Sequence, residues 1–362
     1  MNNFTDAWHF PRTELAKQVL GMFDSGLASS LTFFAPRRMG KTEFLRKDIM
    51  PLAEHNGWRV FYFSFLDAGA HSEQQFIDAL TSFAQKDGFI SKASNLLKSI
   101  GKVSGEVAGV KGEFELGTQQ TNNSILTAIE RLAQQQSPVL LLLDEIQALA
   151  GNAHKSTIAS LRTALDTHKD RIKVIFTGSS REGLRKMFSA SNAPFFHYGQ
   201  NLHFPELSRG FTDHLAENYQ RTTGRSLDQE ELWAAFVDMH RSPQLARSLV
   251  ERLALNPQFS IEFAKQQFVL DIASSRDFHG LWDSLKPVEH FLLIAIAQDQ
   301  PELYSSTFRQ QLANRIGVNE IPVSTVQSAL RSLTRRQVIF KPDNSIYEIE
   351  DSLLKEWILD EK

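Results

Sequence analysis

Eight residues, Ala35-Pro-Arg-Arg-Met-Gly-Lys-Thr42, constrain this chain more than any other stretch. A short apolar run, Leu31–Phe34, leads into them, and a helical pattern follows from Lys41 to about His55, with Phe44, Leu45, Ile49 and Leu52 on one face. The spacing fits the phosphate-loop pattern G-x-x-x-x-G-K-[ST], except that Ala35 holds the first position. Such a loop wraps backward so that successive backbone N–H groups point inward at phosphate oxygens. Gly40 permits close backbone approach, and the helix N-terminus adds about half a positive charge. Lys41 is placed to reach the β- and γ-phosphates and Thr42 to ligate magnesium, while Arg37 and Arg38 add charge at the mouth. The run Ala35, Pro36, Arg37, Arg38, Met39, Gly40, Lys41, Thr42 and Glu43 is the expected nucleotide cradle. Ala35 costs little provided its φ is negative.

The alternation continues. Arg59–Phe65, Val139–Leu143, Lys173–Phe176 and Leu202–Phe204 read as strands, and Glu73–Gln85, Thr121–Gln135 and Ser156–His168 as helices. Strands alternating with helices predict an α/β fold with a mostly parallel, helix-covered sheet. Lys102–Gly117, with alternating apolar positions and several glycines, reads as an inserted β-hairpin. From Ser208 to about Asp277 the pattern is helical throughout, as in a lid: Phe211–Tyr219, Glu230–Met239, Gln244–Leu253 and Ile261–Ile272. A helix after Pro287, a second over Ser305–Arg315, a third capped by Ser324, and two short strands, Val338–Phe340 and Ile346–Ile349, give the order of a winged helix. At 362 residues the chain exceeds what one core usually serves. The division expected is an α/β domain over 1–207, a helical lid over 208–280 and a winged helix over 281–362.

Asp144 and Glu145 close the continuous apolar strand Val139–Leu143, at the carboxyl end where open α/β sheets bind ligands. With a phosphate loop upstream, Asp144 is expected to hold the magnesium shell and Glu145 to act as general base on the attacking water. Thr177 and Ser179 end the next strand, where a polar side chain lies near the γ-phosphate; Gly178-Ser-Ser is equally turn chemistry. Arg181 is a candidate for phosphate sensing or for a subunit contact. The absence of cysteine excludes disulfides, cysteine-ligated zinc and thiol nucleophiles. A net charge of −3 provides no global attraction for nucleic acid or anionic lipid. No apolar run approaches the length of a membrane span, and the first residues read as no secretory signal, so a cytoplasmic protein is expected. The eleven histidines form no close ligand pair.

Taken together, these residues resemble the archaeal-type ATPase family of the STAND branch of P-loop NTPases, relatives of the AAA+ origin-recognition and replication-initiator ATPases. The resemblance is carried by Phe10-Pro-Arg12-Thr-Glu14-Leu15, the double arginine of the loop, Leu143-Asp-Glu-Ile-Gln147 and Thr177-Gly-Ser-Ser180. Ala193-Pro-Phe-Phe196 with Leu202–Leu207, and the tail from Tyr347 to Trp357, extend it over nearly the whole chain. It implies ATP, Mg²⁺, slow hydrolysis serving as a switch, and a lid responding to the γ-phosphate, with nucleotide held between core and lid. It also implies Arg12 and Pro243 as nucleotide contacts. The family's glycine–x–proline signature is present only as Arg241-Ser242-Pro243, which leaves Arg241 or Arg247 as a second sensor open. Trp8 and Phe10 line an adenine pocket or belong to the core.

A winged helix commonly sets its third helix in the DNA major groove. Here that helix carries Thr325, Gln327, Ser328, Arg331, Arg335 and Arg336, with Lys341 in the wing. Yet residues 286–362 hold nine Lys/Arg against eleven Asp/Glu, a net of −2, where a DNA-binding module usually shows a basic footprint. Two readings therefore stand: a DNA-associated ATPase of replication, transposition or defence, and a nucleotide-gated switch whose winged helix binds a protein. An oligomer is compatible with either.

Overall fold

The computed structural model describes residues 6–85, 116–150, 152–179, 183, 187–188, 193–196, 198–275, 278–336, 338–341 and 346–361. The chain divides into two compact units. One comprises Pro11–Ala35 and Lys41–Phe204; the other comprises Met1–Phe10, Pro36–Gly40 and Pro205–Lys362.

The first unit is built on five parallel strands. After α1 (Thr13–Asp24) come β1 (Ser30–Phe34), α2 (Lys41–Glu43), a π-helical turn (Phe44–Ile49) and α3 (Met50–His55). Then follow β2 (Arg59–Ser64), α4 (Ser72–Gln85), α5 (Leu116–Ala133), β3 (Val139–Asp144), α6 (Lys155–Thr167), β4 (Ile172–Gly178) and β5 (Gln200–His203). The sheet order is β2-β3-β4-β1-β5. Every residue of β3 and β4 is buried, as continuous apolar strands covered on both faces must be. The edge strands differ: in β2 the buried Phe61 and Phe63 alternate with half-exposed neighbours, and β5 is mostly exposed.

The helix after the loop is helical from Lys41 to His55 as expected, but its middle is π-helical. Pro51 lies two residues beyond its end and has no N–H to donate, so the regular α-ladder loses a bond there. The predicted hairpin over 102–117 falls outside the described residues, apart from Leu116 and Gly117, which open α5.

Strand register brings three chain segments to one end of the sheet. Phe34 pairs with Gly178, and Leu143 with Phe176. The residues leaving β1, β3 and β4 therefore emerge side by side. The chain order reverses at β1, which lies between β4 and β5, and such a switch point opens a crevice at the carboxyl ends of the strands.

The second unit contains α7 (Arg209–Thr223), α8 (Gln229–Asp238), α9 (Pro243–Leu255), α10 (Ile261–Ser275) and α11 (Phe278–Asp283). After them come α12 (Pro287–Ala297), α13 (Ser306–Ile316), α14 (Val323–Arg335), the antiparallel pair β6 (Ile339–Phe340) and β7 (Glu348–Ile349), and α15 (Ser352–Glu361). One apolar cluster runs from Leu207 to Ile358. Ser305 caps α13 through the Phe308 N–H, as a serine before a helix should. Ser324 does not cap α14: the helix starts at Val323 behind Pro322, whose φ of −62° is already compatible with a helix start. The closing α15, which the sequence pattern did not resolve, buries Trp357 against Phe278 and Trp282 at ring distances of 5.9 and 5.8 Å.

Candidate functional site

The chemistry gathers at the ends of β3 and β4. Asp144 is 1% exposed, so its carboxylate needs donors to offset lost hydration. Three hydroxyls supply them. Thr42 Oγ1 donates to Oδ2 at 2.6 Å, Tyr62 OH donates to the same oxygen at 3.0 Å, and Thr177 Oγ1 donates to Oδ1. Burial, with the Asp144 charge adding to it, pushes the Tyr62 phenol well above its usual range, so it remains a donor. The Thr177 oxygen also accepts the Glu145 N–H at 3.2 Å. Glu145 sits at φ 56°, a left-handed conformation rare for a residue with a side chain. Its carboxylate Oε2 accepts from Ser179 Oγ at 2.6 Å and from Gln147 Nε2.

On the loop side, Lys41 is 5% exposed and its ammonium donates to the Ala35 carbonyl at 2.7 Å. That bond joins the two residues that flank Pro36–Gly40. Gly40 has φ 85°, a conformation glycine adopts freely. Ala35 is buried and is not among the positive-φ residues, so an alanine is accommodated where the motif has glycine. Arg37 is exposed, Arg38 is half-buried at φ 72° and Met39 is buried. Glu43 pairs with Lys47 across one helical turn at 2.7 Å.

The resemblance-based candidates separate by surroundings. The Arg12 guanidinium lies 4.2 Å from the centre of the Phe204 ring; burial lowers it to about 10, with Asp48 working against the shift, so it is cationic at neutral pH. Pro243 opens α9, and Ser242 just before it donates through Oγ to the Arg38 carbonyl at 3.4 Å. Arg241 pairs with Glu206 at 2.9 Å and lies over the Trp233 ring, while Arg247 reaches both oxygens of Asp6 at 3.3 Å. Phe10 packs edge-on against Phe211 at 5.9 Å, and Trp8 joins the same apolar cluster. Arg181 lies outside the described residues. On α14, Arg331 and Arg335 are exposed beside Thr325, Gln327 and Ser328, whereas Arg336 donates to Ser284 Oγ at 2.6 Å.

Mg²⁺ takes oxygen ligands, few of them from protein, and retains water. The Thr42 hydroxyl and Asp144 carboxylate, 2.6 Å apart, are hard oxygens brought together from segments 102 residues apart, and they fit that requirement. Tyr62 and Gln147 were not singled out from sequence as site residues. Tyr62 lies on the face of β2 opposite Phe61 and Phe63, and strand alternation alone does not say that this face meets Asp144.

The chain matches the model of an ATPase domain predominantly from Archaea over residues 10–236 and that of a probable winged helix domain over residues 276–360. Similar solved structures include a Walker-type ATPase of Pyrococcus abyssi, 18% identical, covering 97% of this chain and 96% of that one, with a TM-score of 0.64. The ORC2 protein of Aeropyrum pernix, in ADPNP–ADP complexes, is 15% identical, covering 96% and 92%, with a TM-score of 0.56. The ORC1 protein of the same organism in complex with DNA is 12% identical, covering 99% and 95%, with a TM-score of 0.50. At these identities the shared property is the fold, a parallel P-loop sheet with helices and a C-terminal winged helix. No curated protein is detectably similar. Among the described residues no helix is long and apolar enough to cross a membrane.

Proposed function

Since the chain belongs to the family of ATPase domains found predominantly in Archaea, we propose that it binds ATP with Mg²⁺ at the Ala35–Glu43 loop, hydrolyses it slowly and acts as a nucleotide-dependent switch. One observation carries the reading: Thr42, Asp144, Glu145 and Ser179, from three separate segments, are joined in one hydrogen-bond network. In this reading Lys41 leaves the Ala35 carbonyl for the β- and γ-phosphates, and the amides around Gly40 take phosphate oxygens. Thr42 and Asp144 hold Mg²⁺, which when bound neutralises charge developing on the phosphates. Glu145 accepts the proton of the attacking water, and Ser179 holds its carboxylate. Arg12, cationic beside the Phe204 ring, is a further nucleotide contact in this reading. The Ser242 bond to the Arg38 carbonyl supports the switch, because a change in the loop reaches the start of α9 directly.

For the winged helix we favour DNA, read by the exposed face of α14 through Arg331 and Arg335. A DNA complex of the ORC1 relative supports this reading. The net charge of −2 over residues 286–362 favours a protein partner instead.

Calorimetry tests the nucleotide reading. Lys41→Ala is expected to lose ATP binding, and Glu145→Gln to bind ATP while failing to release phosphate. Unchanged ATP affinity in the first variant, or parental turnover in the second, contradicts the assigned role. Salt-dependent DNA binding that weakens in Arg331→Ala/Arg335→Ala supports DNA; no binding at low salt supports a protein partner.

A further inference from the structure

We propose that Gln147 is a positioning residue for hydrolysis: its amide pins one oxygen of the Glu145 carboxylate, so that the other takes the proton of the attacking water. This rests on Glu145 being the general base. Gln147 belongs to a 3-10 turn, Ile146–Leu149, that starts directly after Glu145. The left-handed Glu145 backbone, tethered through its N–H to Thr177 Oγ1, folds the chain back so that residue 147 meets the side chain of residue 145. Gln147 Nε2 donates to Glu145 Oε2 and stands 3.5 Å from Ser179 Oγ, which donates to the same oxygen at 2.6 Å. Oε1 of Glu145 takes no hydrogen bond from a described residue. The amide orientation is dictated by charge, because the reverse would set a carbonyl oxygen against a carboxylate oxygen.

That orientation has a cost. Gln147 Oε1 is buried with no hydrogen-bond partner among the described residues. An apolar side chain of the same shape avoids the cost, so stability does not account for a glutamine here. Function does. A single donor on Oε2 leaves the carboxylate free to turn about one bond, whereas two donors fix its direction and its plane. A base must present its lone pair within about 2.6–3.2 Å of the proton it takes, and small misplacements are costly. In the step itself, the water oxygen bonds to the γ-phosphorus as the bond from phosphorus to the bridging oxygen breaks. The electron pair leaves on ADP, and the water proton passes to Glu145 Oε1.

The test uses the full chain, single-turnover phosphate release with ATP and Mg²⁺, and ATP affinity measured separately. Gln147→Met keeps length and packing but removes the donor. It is expected to lower the rate about 10–100-fold with ATP affinity unchanged and the melting temperature no lower, a smaller loss than the roughly 100–10,000-fold of general-base catalysis in full. Combined with Glu145→Gln it is expected to add no further loss, since it acts through that carboxylate. Gln147→Glu, of the same shape but with an acceptor facing Glu145, is expected to be at least as slow, which covers the case in which the methionine variant folds poorly. A parental rate in both Gln147 variants, or the same loss with and without Glu145→Gln, overturns the proposal while leaving Glu145 as base. A parental rate in Glu145→Gln overturns both.

Discussion

Arg38, Glu145, His240 and Arg241 all have positive φ and none is glycine. Each left-handed residue with a side chain costs about 1–2 kcal/mol, and such strain persists where surrounding contacts over-determine it. Arg241 shows how. It stands where the resembled signature has glycine, at φ 49°, and the Glu206 carboxylate and Trp233 ring hold it there. Gly199 is the opposite case. It enters β5 at φ 77°, and an added Cβ would stand 2.7 Å from the Ser30 carbonyl oxygen, which is backbone and cannot swing aside. Gly199→Ala combines strain with a clash and is expected to destabilise the α/β unit by about 2–4 kcal/mol, read from the urea midpoint. An unchanged midpoint would refute the contact.

Among the elements, the helix after the loop and α8 contrast in how their ends are satisfied. The π-helical turn over Phe44–Ile49 buries Asp48, the charge that opposes the lowering of Arg12. Periodicity could not reveal this, because it reports which face is apolar and not how the ladder is wound. The start of α8 is governed locally: Asp228 accepts the N–H groups of Glu230 and Glu231 at 2.8 and 2.9 Å. Asp228→Ala is expected to lower unfolding free energy by about 1 kcal/mol without altering ATP affinity, which chemical denaturation and calorimetry check together.

Over the whole molecule, one ion pair joins distant parts of the second unit. His240, in the turn before α9, faces Glu356 of α15 at 3.2 Å, with Lys355 and Asp238 as further charges nearby. The bond to Glu356 raises His240 above its usual 6.5 against the opposing effect of burial. Its folded value therefore exceeds its unfolded value, so the stabilisation is complete below the unfolded value and disappears as pH rises through the folded one. The melting temperature is expected to fall from roughly pH 6 to 8 more steeply than in Glu356→Gln. Parallel profiles would remove the pair as the cause.

Local rules made much legible. The central strand β3 was the most legible, because a strand buried on both faces needs a nearly unbroken apolar run, whereas the edge strands β2 and β5 carry no such requirement. The loop motif and the Asp144-Glu145 pair were legible as candidates because their residues stand at fixed spacing within single short segments. Tyr62, Gln147 and the Ser242 bond to Arg38 were not, since each depends on which strand faces or loops meet across the sheet or the helices. Chain chemistry determines which groups are offered; long-range packing decides which of them touch, because a hydrogen bond requires angstrom-scale placement that no residue spacing encodes.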